Sequence, residues 1–335
     1  MTLPSRISVL DRSLLRQGGD SGEALRATVR FAKQAEALGY HRFWVAEHHS
    51  VPGVAGSAPT VLASAVAAAT SRIRVGTGGV MLPNHQPLVV AEQFGVLESL
   101  FPGRVDMGLG RSVGFTSGIR RALGRDKSDA ERFPEHLAEL LGYFTGENGG
   151  GVHANPAEGL RVPPFLLATG AGADTAADFG LPLVIAGARG QDELVRSVER
   201  YRERFRPSPW SPTPYVVVSA TVAVAETTED ARRLLVSEAW STAYSQTHGV
   251  FPPLAHPDDV LGADMTAREQ ELFERAMRDQ IHGTAPEVAS ALEKLVHRTA
   301  ADEIMVTTNG FDRDRVLDSY RRLSRLADLN HLVDA

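Results

Sequence analysis

The chain has 335 residues, 43% hydrophobic and 23% charged, a globular balance that excludes wholesale disorder and allows one large barrel or two ordinary domains. The 35 basic and 41 acidic residues give a net charge of −6, so no basic excess exists to drive binding to a nucleic-acid backbone. Cysteine is absent, which excludes disulfides, thiolate zinc sites, iron–sulfur clusters and cysteine nucleophiles together. The longest apolar run, residues 61–69, is too short to span a bilayer, and the N-terminus lacks the apolar core of a signal peptide. A soluble, cytoplasmic protein with a small-molecule site is expected, without nucleic-acid or membrane partners.

Strands and helices alternate along the chain. Residues 6–10 are short and alternating, which predicts a first strand. Asp20 and Glu23 stand as in a capping box; Leu25, Val29, Ala32 and Leu38 recur at helical spacing, and Gly39 closes the helix. Residues 41–46, with Phe43, Trp44 and Val45, predict strand two. Pro59 opens a helix whose residues 60–70 are apolar nearly all round. Residues 73–82 predict strand three, with Gly76, Gly78 and Gly79 inside it. A helix over 88–100 stops before Pro102 and Gly103, and 105–109 predict strand four. A helix near 133–143 follows a polar loop, and the segment 149–158 predicts a surface hairpin or loop. Strand five spans 165–168, a short helix 174–179, strand six 183–185, and an amphipathic helix 193–205. After the proline-rich linker 207–214, residues 215–224 predict one long seventh strand, then a helix over 229–244. The stretch 245–283 is irregular, with one helix near 268–280. Thr284 and Glu287 form a second capping box, opening a helix to 297; 303–307 predict strand eight, and 313–326 the last helix. Eight such units without a composition break predict an α/β protein, a closed (β/α)8 TIM barrel. It forms a single domain over residues 1–335, with 245–283 as an insertion after strand seven.

In such a barrel the chemistry sits at the C-terminal strand ends. Those ends read Asp11-Arg12-Ser13, Glu47-His48-His49-Ser50, Gly78-Gly79 onward to His85, Gly110-Arg111-Ser112, Thr169-Gly170-Ala171-Gly172 and Thr307-Thr308-Asn309. The opposite ends carry Gly39, Pro102, Gly103 and Gly180, which suit turns. The Thr169 to Gly172 run leads from strand to helix: its hydroxyl and amides can receive a phosphate, or its glycines only make a tight turn. Arg111, on the adjacent strand, can supply a bidentate charge. His48 and His49 are neighbours pointing to opposite faces, so at most one faces the mouth and the two do not share a metal. No HExxH helix exists either, and no metal site is expected. A histidine at that mouth is either an acid–base or donor group at a cofactor, or a structural residue bonded to backbone. Glycines at 78 and 79 inside a sheet mark either close approach to a ligand or a bulge.

Several segments, in this order and spacing, resemble the luciferase-like monooxygenase family over nearly the whole chain. They are Ile7-Ser-Val-Leu-Asp-Arg-Ser, Trp44-Val-Ala-Glu-His-His, Val75-Gly-Thr-Gly-Gly-Val-Met-Leu-Pro-Asn-His-Gln-Pro, Phe101-Pro-Gly-Arg-Val-Asp-Met-Gly-Leu-Gly-Arg, Phe179-Gly-Leu-Pro and Gly283-Thr-Ala-Pro-Glu-Val. The resemblance implies a barrel that binds reduced FMN (FMNH2) supplied by a separate flavin reductase. With O2 it forms a flavin C4a-peroxide and inserts one oxygen atom into an organic substrate. It further implies that Arg111 and Thr169, Gly170, Ala171 and Gly172 hold the FMN phosphate. Gly78 and Gly79 would form the family's non-prolyl cis peptide beneath the flavin, and His48 would stand near the reaction centre. Gly110 falls where bacterial luciferase has a cysteine, which weighs against aldehyde luciferase activity. Residues 245–283 resemble the family's mobile active-site loop, and the apolar helix 60–70 with the next implies a homodimer. The expected activity is FMNH2-dependent hydroxylation or epoxidation of an uncharged organic substrate such as a secondary metabolite. The alternatives are a coenzyme F420-dependent hydride-transfer oxidoreductase, whose acidic tail would want a basic groove where only scattered arginines occur, and a catalytically silent flavin-binding subunit.

Overall fold

The computed structural model describes residues 6–148, 151–170, 172–187, 190–278 and 280–329. Eight strands carry a barrel: β1 (Ile7–Asp11), β2 (Arg42–Val45), β3 (Arg74–Thr77), β4 (Val105–Gly110), β5 (Pro164–Ala168), β6 (Leu183–Ala186), β7 (Val216–Ala220) and β8 (Glu303–Val306). Neighbours pair in parallel throughout. β8 returns to β1 with Ile304 opposite Ile7, and β3 meets β4 with Val75 opposite Val105, so the sheet closes into the expected (β/α)8 TIM barrel. Strand alternation sorts the side chains. Ile7, Val9, Phe43 and Val45 pack outward with the helices, while Trp44, Phe165, Val184, Val217 and Met305 form a separate cluster inside the barrel. Gly108 serves that closure: a Cβ there would stand 1.8 Å from the Thr77 carbonyl oxygen.

The helices are α1 (Ser21–Ala37), α2 (Pro59–Ala69), α3 (Pro87–Leu100), α4 (Ser117–Ala122), α5 (Phe133–Thr145), α6 (Gly172–Asp178), α7 (Gln191–Arg204), α8 (Thr228–His248), α9 (Pro257–Leu261), α10 (Ala267–Arg278), α11 (Ala285–Thr299) and α12 (Arg313–Leu326). Both predicted caps form: the Asp20 carboxylate accepts the Glu23 N–H at 2.9 Å, and Glu287 Oε2 accepts the Thr284 N–H at 2.8 Å. Among the described residues no helix is long and apolar enough to cross a membrane.

Four elements depart from the sequence expectation. The third strand stops at Thr77; the Gly78–Gly79 peptide is cis, as the resemblance implied, and Val80–Met81 resumes pairing on β4 before a 3-10 turn at Leu82–Asn84. The seventh breaks at Thr221: Val222–Val224 leaves the barrel and pairs with Ile281–Gly283, joined by a ladder with a partner almost sixty positions away. The insertion is mostly ordered structure, because α8 extends to His248, α9 and α10 follow, and α10 packs along α8. The polar loop after β4 contains α4, which no apolar periodicity announced. Residues 151–158 form a loop, as expected, and residues 149 and 150 lie outside the described residues.

Candidate active site

Two of the cavities at the C-terminal mouth of the barrel adjoin. One, of about 500 Å³, lies over the strand ends and is lined by Gly78, Gly79, Gly110, Arg111, Thr169 and Gly172, with His48 and Phe115 at its edge. The other, of about 600 Å³, is lined by His48 and Phe115 again, with Arg12, Val54, Ile119 and Phe251. His48 and Phe115 therefore border both.

The first cavity gathers most of the expected cofactor residues. Arg111 is exposed on its wall, and no protein group pairs with its guanidinium among the described residues. Thr169 is exposed beside it, and Ser112 completes a polar end. Gly170 stands behind this surface, with φ of +54° and its carbonyl accepting from Arg200 at 3.3 Å. Ala171 lies outside the described residues. At the helix terminus, Gly172 N–H donates to the Thr169 carbonyl at 3.3 Å, and Ala173 N–H to Gly170 at 3.1 Å. An anion here would meet the side chains of Arg111, Ser112 and Thr169. Elsewhere on the lining, a Cβ on Gly78 would strike Leu10 Cδ1 at 2.4 Å, so the segment lies flush on the barrel interior. Gly110 leaves open space, its nearest neighbour to a built Cβ being Val80 O at 3.9 Å.

His48 is fixed by its backbone, whose N–H donates to Gly56 at 2.8 Å, and its ring stacks on Phe115 with centroids 6.0 Å apart. Its Nδ1 is buried without a partner. Burial, and then the charge of Arg12, push its pKa down to about 4, so the ring is neutral at pH 7. His49 faces the other way, as alternation predicted. Its Nε2 lies 2.7 Å from Glu47 Oε1, and His85 Nε2 approaches the same oxygen at 2.8 Å. Glu47 Oε2 accepts the Met81 N–H at 2.9 Å. Burial alone would raise the Glu47 carboxyl, but the hydrogen bonds from His49 and His85 outweigh it and hold it at about 2. Glu47 thus ties the end of β2 to the segment after the cis peptide.

Sequence reasoning missed Phe115, which sits in a loop with no pattern, and the convergence of Glu47 and His85, separated by 38 positions. The 245–283 segment does reach the second cavity's outer wall, as its resemblance to an active-site loop implied. Residues 249–251 line that wall, and the strap beyond is pinned where Gly53 N–H donates to Phe251 at 2.9 Å and Leu254 N–H to Leu15 at 2.9 Å. The helical pattern of 245–283 could have suggested order, but not that contact.

The luciferase-like monooxygenase family model matches residues 6–303. A luciferase-like monooxygenase of Escherichia coli K12 is 36% identical over 318 residues, 93% of this chain and 94% of that protein. The N-acetyl-S-alkylcysteine monooxygenase of Bacillus subtilis is 37% identical over 241 residues, 69% of this chain and 71% of its own. Among solved structures, apo-MsnO8 superposes with a TM-score of 0.87 at 30% identity, covering 97% and 98% of the two chains. The fold alone is shared with an FMN complex of 3,6-diketocamphane monooxygenase (TM-score 0.73, 18% identity, 97% of each chain) and an F420-dependent secondary alcohol dehydrogenase (0.72, 16%, 98% and 99%). The chain belongs to the luciferase-like monooxygenase family.

Proposed function

We propose that the protein is an FMNH2-dependent monooxygenase. It would hold reduced FMN in the 500 Å³ cavity and insert one oxygen atom, by hydroxylation or epoxidation, into an uncharged organic substrate in the 600 Å³ cavity. The observation that carries this reading is the junction: one neutral histidine borders both spaces. The residues present suit FMN. An unpaired Arg111 with Ser112 and Thr169 offers donors for one phosphate, and the flush Gly78–Gly79 segment and open Gly110 leave room for a flat ring. Bound reduced FMN would supply the electrons that activate O2. The chain's own part is to bind, orient and keep dry. Val54, Ile119 and Phe251 exclude water from the substrate side, and Glu47 holds the floor segment. His48, neutral and half-buried, can hand a proton to, or take one from, a group at the junction.

F420 would want cations along its acidic tail, and Arg111 is the only Arg or Lys among the described residues lining the cofactor cavity. A silent subunit would have no use for an unpaired arginine and a neutral histidine facing one space. The proposal includes a separate flavin reductase as donor and a homodimer formed through α2 and α3.

Titration with FMN, riboflavin and F420, followed by oxygen-uptake spectroscopy, tests the reading. FMN should bind, and Arg111→Ala should weaken it by the worth of a charged hydrogen bond, about 1.5–3 kcal/mol, roughly 10- to 150-fold. The contact is exposed, which keeps this below the loss of a buried pair. Riboflavin, lacking the phosphate, should hardly respond. Equal losses for both flavins, or F420 binding more tightly than FMN, would count against the assignment.

A further inference from the structure

A third cavity at the mouth, of about 670 Å³, is unused by the chemistry above. It shares Ala186 and Ser219 with the cofactor cavity and Thr242, on α8, with the substrate cavity. Arg12 lines the substrate cavity, Glu238 lines the third, and the two pair, so this ion pair and Thr242 stand between the two spaces. The only other Asp, Glu, Lys or Arg among the described lining residues is Arg278, exposed at the last position of α10, where water and the helix dipole favour a cation. The wall offers a ligand groups that both donate and accept hydrogen bonds. The hydroxyls of Ser219 and Thr242 have no protein partner among the described residues and are open to solvent. Those of Thr221 and Thr307 stand 3.2 Å apart, a contact that uses one of their two protons. His282 Nδ1 bonds the Gln280 carbonyl at 3.1 Å, which leaves Nε2 for the cavity.

We propose that the third cavity is a second lobe of the substrate site, and that the substrate has two parts: an apolar body in the substrate cavity and a neutral, hydroxyl-bearing head that passes Thr242 into the third. The proposal rests on assigning the first two cavities to cofactor and substrate. Hydrogen-bond chemistry selects the head. A hydroxyl donates and accepts at one atom, as the Ser219, Thr221, Thr242 and Thr307 side chains do, so a head carrying several of them is matched along the wall. A carboxylate head gains less. Glu238 already neutralises Arg12 and would itself repel such a head, and the charge of Arg278 is screened by solvent. Holding the head fixes which atom of the body stands at the junction with His48, so the lobe sets the position of oxidation as well as affinity.

Hexyl glucoside, hexyl glucuronide and hexanol share one chain and differ in the head: a neutral polyol, a charged polyol and a bare hydroxyl. Each is titrated calorimetrically into the protein with and without FMN, while flavin fluorescence follows FMN binding separately. The wild type should bind hexyl glucoside at least about 10-fold more tightly than either of the others, the worth of one or two net hydrogen bonds. Ala276, on α10, lines the third cavity and neither of the others, so Ala276→Trp fills that lobe alone. It should bring hexyl glucoside down to the affinity of hexanol, while hexanol and FMN bind as before. Ala291→Trp, on α11, asks the same from the neighbouring wall should the first variant fail to fold. A wild type that binds the three alike, binds none or prefers the glucuronide overturns the proposal, as does a folded Trp variant that keeps the full preference. Should neither variant fold, the wild-type order alone decides. An intact glucoside preference in a protein that does not bind FMN would sink the cofactor assignment and leave the second lobe standing.

Discussion

His48 is the residue on which the proposed chemistry turns, and its neighbours make the claim testable. His48→Ala should leave the fold and FMN affinity close to wild type while product formation falls about 10²–10⁴-fold. Oxygen uptake should continue and yield hydrogen peroxide in place of product. His49→Ala is the contrast. It removes a 2.7 Å partner from the buried Glu47 carboxylate, so melting temperature and FMN affinity should fall together. Peroxide release from His49→Ala and not from His48→Ala would reverse the assignment. The pH profile follows from the environment of His48: held at about 4 by burial first and Arg12 second, the ring stays neutral well below its ordinary 6.5. A step that needs neutral His48 should persist as pH falls through 6.5 and decline only towards 4. The same shift costs stability on that path. The unfolded histidine takes up a proton near 6.5 and the folded one does not, so stability is lost as pH falls from 6.5 towards 4.

Among the elements, α2 and α3 carry a surface that wants a cover. Val61 is 71% exposed, Val89 44%, Val96 48% and Leu100 62%, and Thr60 joins the two helices through Gln93 at 2.9 Å. A stripe of that kind on a barrel's outside suits association with a second copy. Wild type should sediment as a dimer at micromolar concentration, and the double variant Val61→Asp, Leu100→Asp as a folded monomer. A monomeric wild type would refute the dimer. The apolar surface of α2 was legible in the sequence because the composition of one helix shows it, as were the caps at Asp20 and Thr284 and the strand ends at Arg111 and Thr169. What was not legible depends on distant pairing. Nothing between 215 and 224 announces the break at Thr221, because the partner that draws Val222–Val224 aside lies at Ile281–Gly283. Arg12 and Glu238 are separated by most of the barrel, and their meeting is a property of closure.

At the scale of the whole molecule, the two ends of the barrel divide the work. The mouth is open and carries the unpaired Arg111; the floor is sealed by charge. Asp106, fully buried, accepts from Arg42 at 2.7 Å, from Arg74 at 2.6 Å and from the Trp44 indole at 3.1 Å. Glu303, on β8, accepts from Arg42 at 3.1 Å and from the Tyr215 hydroxyl at 2.7 Å. β2, β3, β4 and β8 are thereby locked together beneath the Trp44 cluster. Burial alone would raise the Asp106 carboxyl, but Arg42 and Arg74 outweigh it and lower its pKa. The stability it contributes is therefore present above the ordinary carboxylate range and lost as pH falls below it. Removing one partner of a buried pair leaves the other charged and unmet, so Asp106→Ala should cost about 3–5 kcal/mol, read as a lower urea midpoint. The cofactor cavity sits at the opposite end, so the protein that remains folded should bind FMN with near wild-type affinity. A variant as stable as wild type would show that the floor's charges are dispensable to closure. A variant with normal stability but weakened FMN binding would show that the two ends are coupled through the barrel.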